Sequence, residues 1–147
     1  MIFQLPQNTI FYLLEKSMKR YRKLAQKKVD ETDYNISINQ LILLLNLQER
    51  PKLSQVELAE LVFKDFASVA RMVDLLVKKG YLKRIESSVD RRKKDLILTS
   101  TCEAMLSVLR PVVEEYRVLA LGDFSEEDIK KIQSFLTQLI DNCETHL

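Results

Sequence analysis

Ser68 and Arg71 stand three residues apart in DFASVARMVDLLVKKG, and further along VDRRKKD (Val89 to Asp95) sets four consecutive cations between two acids. On a helix, residues three apart share a face. The planar fork of an arginine can bond both acceptors on the major-groove edge of guanine, and a serine hydroxyl can reach a base edge or a phosphate. Four adjacent cations in a loop either solubilise it or attract something negative. Covalent and metal chemistry have no comparable constellation. His146 is the sole histidine, and Cys102 and Cys143 are two isolated thiols, whereas a metal cluster needs several such ligands. No phosphate loop or nucleophile elbow is present. The residues point to binding, not to an enzyme, and call for no cofactor and no metal.

The charge distribution favours a polyanionic partner. Residues 64–98 carry ten cations against five acids and residues 1–30 seven against two, while residues 99–147 carry four against nine. The net charge of +2 therefore hides two basic segments and an acidic C-terminal third that a polyanion would repel. No apolar run approaches the roughly 20 residues that cross a bilayer, and the start MIFQLPQNT lacks a charged stretch followed by an apolar one. A soluble, cytoplasmic chain with no membrane partner and reduced thiols is expected.

The elements that must position these residues are mostly helical. Two glycines and three prolines in 147 residues disfavour a turn-rich β-sandwich and allow long helices. Ile10, Phe11, Leu13, Leu14, Met18, Tyr21 and Leu24 recur at helical spacing from about Asn8 to Val29, with basic residues between them. Ser37-Ile38-Asn39-Gln40 is a capping box that opens a second helix through Leu47, apolar on nearly all sides and so expected in the core. Pro51 stops it, and Ser54-Gln55-Val56-Glu57 opens a short third helix. After Phe63-Lys64, Asp65 can cap a fourth, whose Phe66, Val69, Ala70, Val73, Leu76 and Val77 form its core stripe and which Gly80 ends. Tyr81–Ile85 and Asp95–Leu98 are β-prone runs separated by a polar loop. Thr99 or Ser100 then caps a helix to about Leu121, with a kink expected at Pro111. Ser125-Glu126-Glu127-Asp128 starts a last helix to about Cys143, built on Ile129, Ile132, Phe135, Leu136, Leu139 and Ile140.

Two helices joined by a tight turn and followed by a two-stranded hairpin form a winged helix-turn-helix. The fold class expected is mainly α with a small antiparallel β-hairpin (α+β). In this motif the second helix of the pair fits the major groove and the hairpin loop reaches backbone or the minor groove. The core stripe leaves Ala67, Ser68, Arg71, Leu75 and Lys78 on other faces of the fourth helix.

The run from Leu53 to Thr99 resembles the DNA-binding core of the MarR family of bacterial and archaeal transcription regulators. The resemblance rests on Leu58-Ala59-Glu60, the segment Val73 to Gly80, Lys83-Arg84, Asp90-Arg91-Arg92 and Leu98-Thr99, in that order and spacing. The flanking helices extend it over nearly the whole chain, as one domain with a winged core at about 37–99 and dimerisation helices at about 8–30 and 100–145. The resemblance implies an obligate homodimer on a pseudo-palindromic operator in double-stranded DNA. It implies that Arg92 enters the minor groove with Asp90 positioning it by a charge-assisted bond. Ser68, Arg71, Lys78, Arg84, Asp90, Arg91, Arg92, Lys93 and Lys94 are the expected DNA-binding residues. The family often forms a small-molecule effector pocket between the dimer helices and the winged domain, for which Phe11, Tyr12, Tyr34 and Tyr116 are candidates.

Several positions depart from the common pattern. Ala67 and Ala70 stand where the family often has hydroxyl residues, Leu75 where it often has Arg, and Cys102 in place of a frequent Gly. The expected activity is that of a transcriptional regulator, a repressor released by its effector. A winged-helix module that binds protein and has lost DNA binding is the alternative from another class. Lys78, Lys79, Lys83 and Arg84 serve equally well as solubilising charge, and the basic first helix reads as a solvated face.

Overall fold

The computed structural model describes residues 5–147. After a 3-10 turn at Pro6–Asn8, six helices run α1 Ile10–Asp30, α2 Ile38–Glu49, α3 Gln55–Val62, α4 Phe66–Lys78, α5 Ser100–Leu121 and α6 Glu126–Glu144. Two strands, β1 Leu82–Glu86 and β2 Lys94–Leu98, fall between α4 and α5 and pair antiparallel, Leu82 opposite Leu98 and Glu86 opposite Lys94. This is the mainly α winged helix-turn-helix expected from the sequence.

Each helix start has a local cause. Ser37, Ser54 and Ser125 each accept from a backbone N–H three residues on, and Gln40, Glu57 and Asp128 return the bond to the cap backbone. Those reciprocal bonds satisfy amides that a helix leaves unpaired in its first turn. Asp65 and Thr99 cap α4 and α5 by the same side-chain bond. Gln26 of α1 ties the start of α2 in place: its Oε1 accepts from Ile38 N–H at 2.8 Å and its Nε2 donates to Ile36 carbonyl at 3.1 Å.

The core gathers around α2, whose Leu41, Leu43, Leu44 and Leu47 are wholly buried. Leu58 and Val62 of α3, Val69, Val73 and Leu76 of α4, Leu82 and Leu96 of the hairpin, and Met105, Leu106 and Leu109 of α5 close on it. The winged unit is thereby packed as one block, which fixes how α4 and the hairpin loop are presented together.

Two expectations change, at Phe66 and at the strand ends. Phe66, placed in the core stripe, is half exposed, because it opens α4 one turn before Val69, the first buried residue of that helix. The apolar positions of α6, a helix expected to serve dimerisation, bury nothing fully: Phe135 is 68% exposed, and Ile132 and Ile140 also face outward. Pro111 lies inside α5, which runs from Ser100 to Leu121. The strands also extend one residue further into the loop than expected, to Glu86 and from Lys94, so Lys94 lies on β2 and not in the loop.

Candidate nucleic-acid interface

The turn between α3 and α4 sets the direction of α4. Phe63 adopts the left-handed conformation, φ 54° and ψ 47°, and its N–H donates to the carbonyls of Ala59 and Glu60. Lys64 N–H closes the turn on Ala59 carbonyl at 3.0 Å. A left-handed residue ends a helix sharply, which is why glycine is usual there. Phe63 pays for the geometry in backbone strain and leaves its ring 83% exposed.

Beyond the turn, Asp65, Ser68 and Arg71 form a relay. One carboxylate oxygen of Asp65 accepts from Ser68 N–H at 2.8 Å, and the other accepts from Ser68 Oγ–H at 2.7 Å. Ser68 Oγ in turn accepts from an Arg71 Nη at 3.3 Å. The hydroxyl has one proton, which Asp65 takes, so its lone pairs remain for the guanidinium. The Ser68 hydroxyl holds the Asp65 carboxyl below its ordinary carboxylate range. Ser68 thus lies near Arg71 as expected, with its hydroxyl engaged inside the helix.

Ala67, Arg71, Asp74, Leu75 and Lys78 are all exposed. At 3.6 residues per turn they fall within about 100° of arc, opposite Val69, Val73 and Leu76. Asp74 would repel a polyanion, but it is paired with the guanidinium of Arg84 on β1. That ion pair braces the hairpin against α4 and cancels the one acid on this face. Arg84, expected as a DNA contact, is therefore partnered within the chain. Lys79 is partnered too, donating to Asn35 carbonyl at 2.6 Å.

The wing is tied by its own backbone. Ser87 N–H donates to Lys93 carbonyl at 3.0 Å, and Lys93 N–H donates to Asp90 carbonyl at 2.9 Å. Asp90 Oδ1 accepts from Arg92 N–H at 2.9 Å. The bond of Asp90 to Arg92 thus goes to the backbone amide and shapes the loop, leaving the guanidinium unengaged by it. Arg91, Arg92, Lys93 and Lys94 are exposed, and among the described residues none of them forms an ion pair. Val89 projects from the same loop, 90% exposed.

The candidate effector residues sit in different settings. Tyr116 is buried edge-to-face against Tyr21, ring centroids 5.7 Å apart, and burial pushes its hydroxyl up to about 12. Tyr34 packs on the core, while Phe11 and Tyr12 face outward on α1. Two concavities lie elsewhere. One, about 340 Å³, runs between the end of α2, the hairpin and Glu103; another, about 290 Å³, lies between α2 and α5 at Arg110 and Arg117.

Cys102 is fully buried and its thiol is pushed up to about 11, first by burial and then by Glu103. A shielded, protonated thiol is unreactive. Among the described residues no cluster of three or more metal-ligating side chains occurs, and no helix is long and apolar enough to cross a membrane.

Sequence reasoning passed over two features. The relay had a local signal, since Asp65, Ser68 and Arg71 follow at successive spacings of three. The Asp74–Arg84 pair had none, because the helix end and the turn into β1 lie between its members.

Taken together, a recognition helix presented by a tight turn and a basic wing presented by a hairpin define a winged helix-turn-helix protein. Residues 34–93 match the model of the MarR family. Beyond that segment, nearly the whole chain shares its fold with several solved structures. It is similar to BpsR of Bordetella bronchiseptica, described with regulation of its DNA binding by 6-hydroxynicotinic acid, at TM-score 0.84 and 20% identity over 95% of this chain and 99% of that one. It is similar to S. aureus MepR in a DNA complex at TM-score 0.82 and 18% identity, over 95% and 99%. A mutant MarR from E. coli complexed with operator DNA matches at TM-score 0.82 and 19% identity, over 93% and 99%.

Proposed function

We propose that the protein is a sequence-specific transcriptional regulator that binds double-stranded DNA as a homodimer and acts as an effector-responsive repressor in the cytoplasm. The observation that carries the proposal is a pre-oriented Arg71 on the exposed face of α4 beside a wing whose four cations form no ion pair among the described residues. Arg71 supplies base reading, Arg92 probes the minor groove, and Arg91, Lys93, Lys94 and Lys78 attract phosphates. Arg84 acts mainly by holding the wing in register with α4. DNA complexes of MepR and MarR support the reading through the shared fold.

Homodimerisation is supported by α6, which buries no residue fully and turns Ile132, Phe135 and Ile140 outward. Such an apolar surface marks an interaction site. In a two-fold dimer the two recognition helices address successive major grooves about 34 Å apart. An effector that favours another spacing of the helices releases the DNA. Regulation of BpsR by 6-hydroxynicotinic acid supports a small organic effector by analogy.

Selection of bound fragments from the source genome tests the proposal. The expected result is a pseudo-palindromic site whose affinity falls steeply with salt. If no fragment is retained at low salt, the chain is a protein-interaction module instead.

A further inference from the structure

The exposed face of α4 is apolar on both sides of its arginine. Ala67, Arg71 and Leu75 follow at intervals of four and so form one row along the helix. Leu75 is 49% exposed, while the neighbouring Leu76 is wholly buried and does the core packing. The row is about 12 Å long at 1.5 Å per residue, which matches about three and a half base steps of 3.4 Å. Its centre, Arg71, is aimed by Ser68. Ala67 and Leu75 have no hydrogen-bonding group to offer a base edge.

In the major groove the apolar feature that a base edge displays is the 5-methyl group of thymine. We propose that the half-site of this protein contains a guanine read by Arg71, flanked by thymines whose methyl groups pack on Ala67 and Leu75. This rests on the DNA-binding function proposed above and names the sequence class it selects. Leu75 discriminates in two ways. It gains contact area from the methyl group, and it strips water from the amino group of a cytosine without replacing the lost hydrogen bond. The protein therefore senses pyrimidine 5-methylation: at the position facing Leu75, 5-methylcytosine binds better than cytosine.

The test begins with duplexes selected by the full-length wild-type protein. Each thymine flanking the guanine is replaced in turn by deoxyuridine, which removes one methyl group and leaves the base pair intact. Binding is measured at fixed salt with wild type, Leu75→Ala and Arg71→Ala. Deoxyuridine facing Leu75 is expected to weaken wild-type binding about fourfold, the worth of one buried methyl group, and to have no effect on Leu75→Ala. Arg71→Ala is expected to lose its preference for the guanine. Leu75 is half exposed and outside the core, so its truncation leaves the fold in place. If deoxyuridine is neutral in wild type, or weakens Leu75→Ala equally, the inference is overturned while DNA binding stands. If no duplex is bound at low salt, the proposed function falls and this inference with it.

Discussion

Arg92 and Asp65 are charged residues whose settings differ, and each setting yields its own prediction. The Arg92 backbone is already held by Asp90 while its side chain is exposed and, among the described residues, forms no ion pair. Arg92→Ala is expected to weaken DNA binding and to lower the slope of log affinity against log salt by about one unit, as one lost phosphate-scale contact requires. A salt titration with an unchanged slope removes Arg92 from the interface. Asp65 has its carboxyl held down by the Ser68 hydroxyl and backbone amide. Its folded-state value lies below its unfolded one, so the stability it contributes is present above the unfolded value of 3.8 and is lost as the pH falls through the folded value. Asp65→Asn keeps a capping side chain without the titration. Its melting temperature is therefore expected below that of wild type at pH 7, with the gap closing below about pH 4. A gap that stays constant down to pH 2 excludes the linkage.

At the scale of the element, the turn between α3 and α4 is the most strained described piece of backbone. Phe63 is the non-glycine residue with positive φ among those described, and a left-handed L-residue costs about 1–2 kcal/mol. Its exposed ring offers little burial in return. Phe63→Gly relieves the strain but gives the unfolded chain more freedom, so a net stabilisation of up to about 1 kcal/mol is expected in thermal or urea unfolding. A destabilised variant would show that the Phe63 ring makes contacts worth more than the strain. The turn also displays Phe66 beside the start of α4, where the apolar pattern alone had placed it inside.

For the whole molecule, apolar surface is uncovered on α6 and also on α1 and the end of α5, where Ile10, Phe11, Leu13, Val118 and Leu119 are exposed. A second copy of the chain is the proposed cover. Phe135→Glu places a charge on that surface without touching the winged core. Light scattering is expected to show half the wild-type mass, with loss of cooperative binding to a two-half-site duplex. A variant that keeps the wild-type mass shows that dimerisation, if present, does not use this face.

Much of the fold was legible in the sequence because its signals are local. Capping bonds span three residues, so Ser37, Ser54, Asp65, Thr99 and Ser125 announced their helices to within a residue or two. The change from helical to strand-like patterning after Gly80 placed the hairpin, and the resemblance of residues around it to one family set the class of protein. Tertiary structure decided what the side chains do. It took Arg84 to Asp74 and Lys79 to Asn35, buried Cys102, and packed Tyr116 against Tyr21 while leaving Phe11 and Tyr12 exposed. Those outcomes depend on the angles at which distant elements pack, which no spacing along the chain encodes. Periodicity likewise shows that a face of α6 seeks cover, but the folded chain alone shows that its own core does not fully provide it.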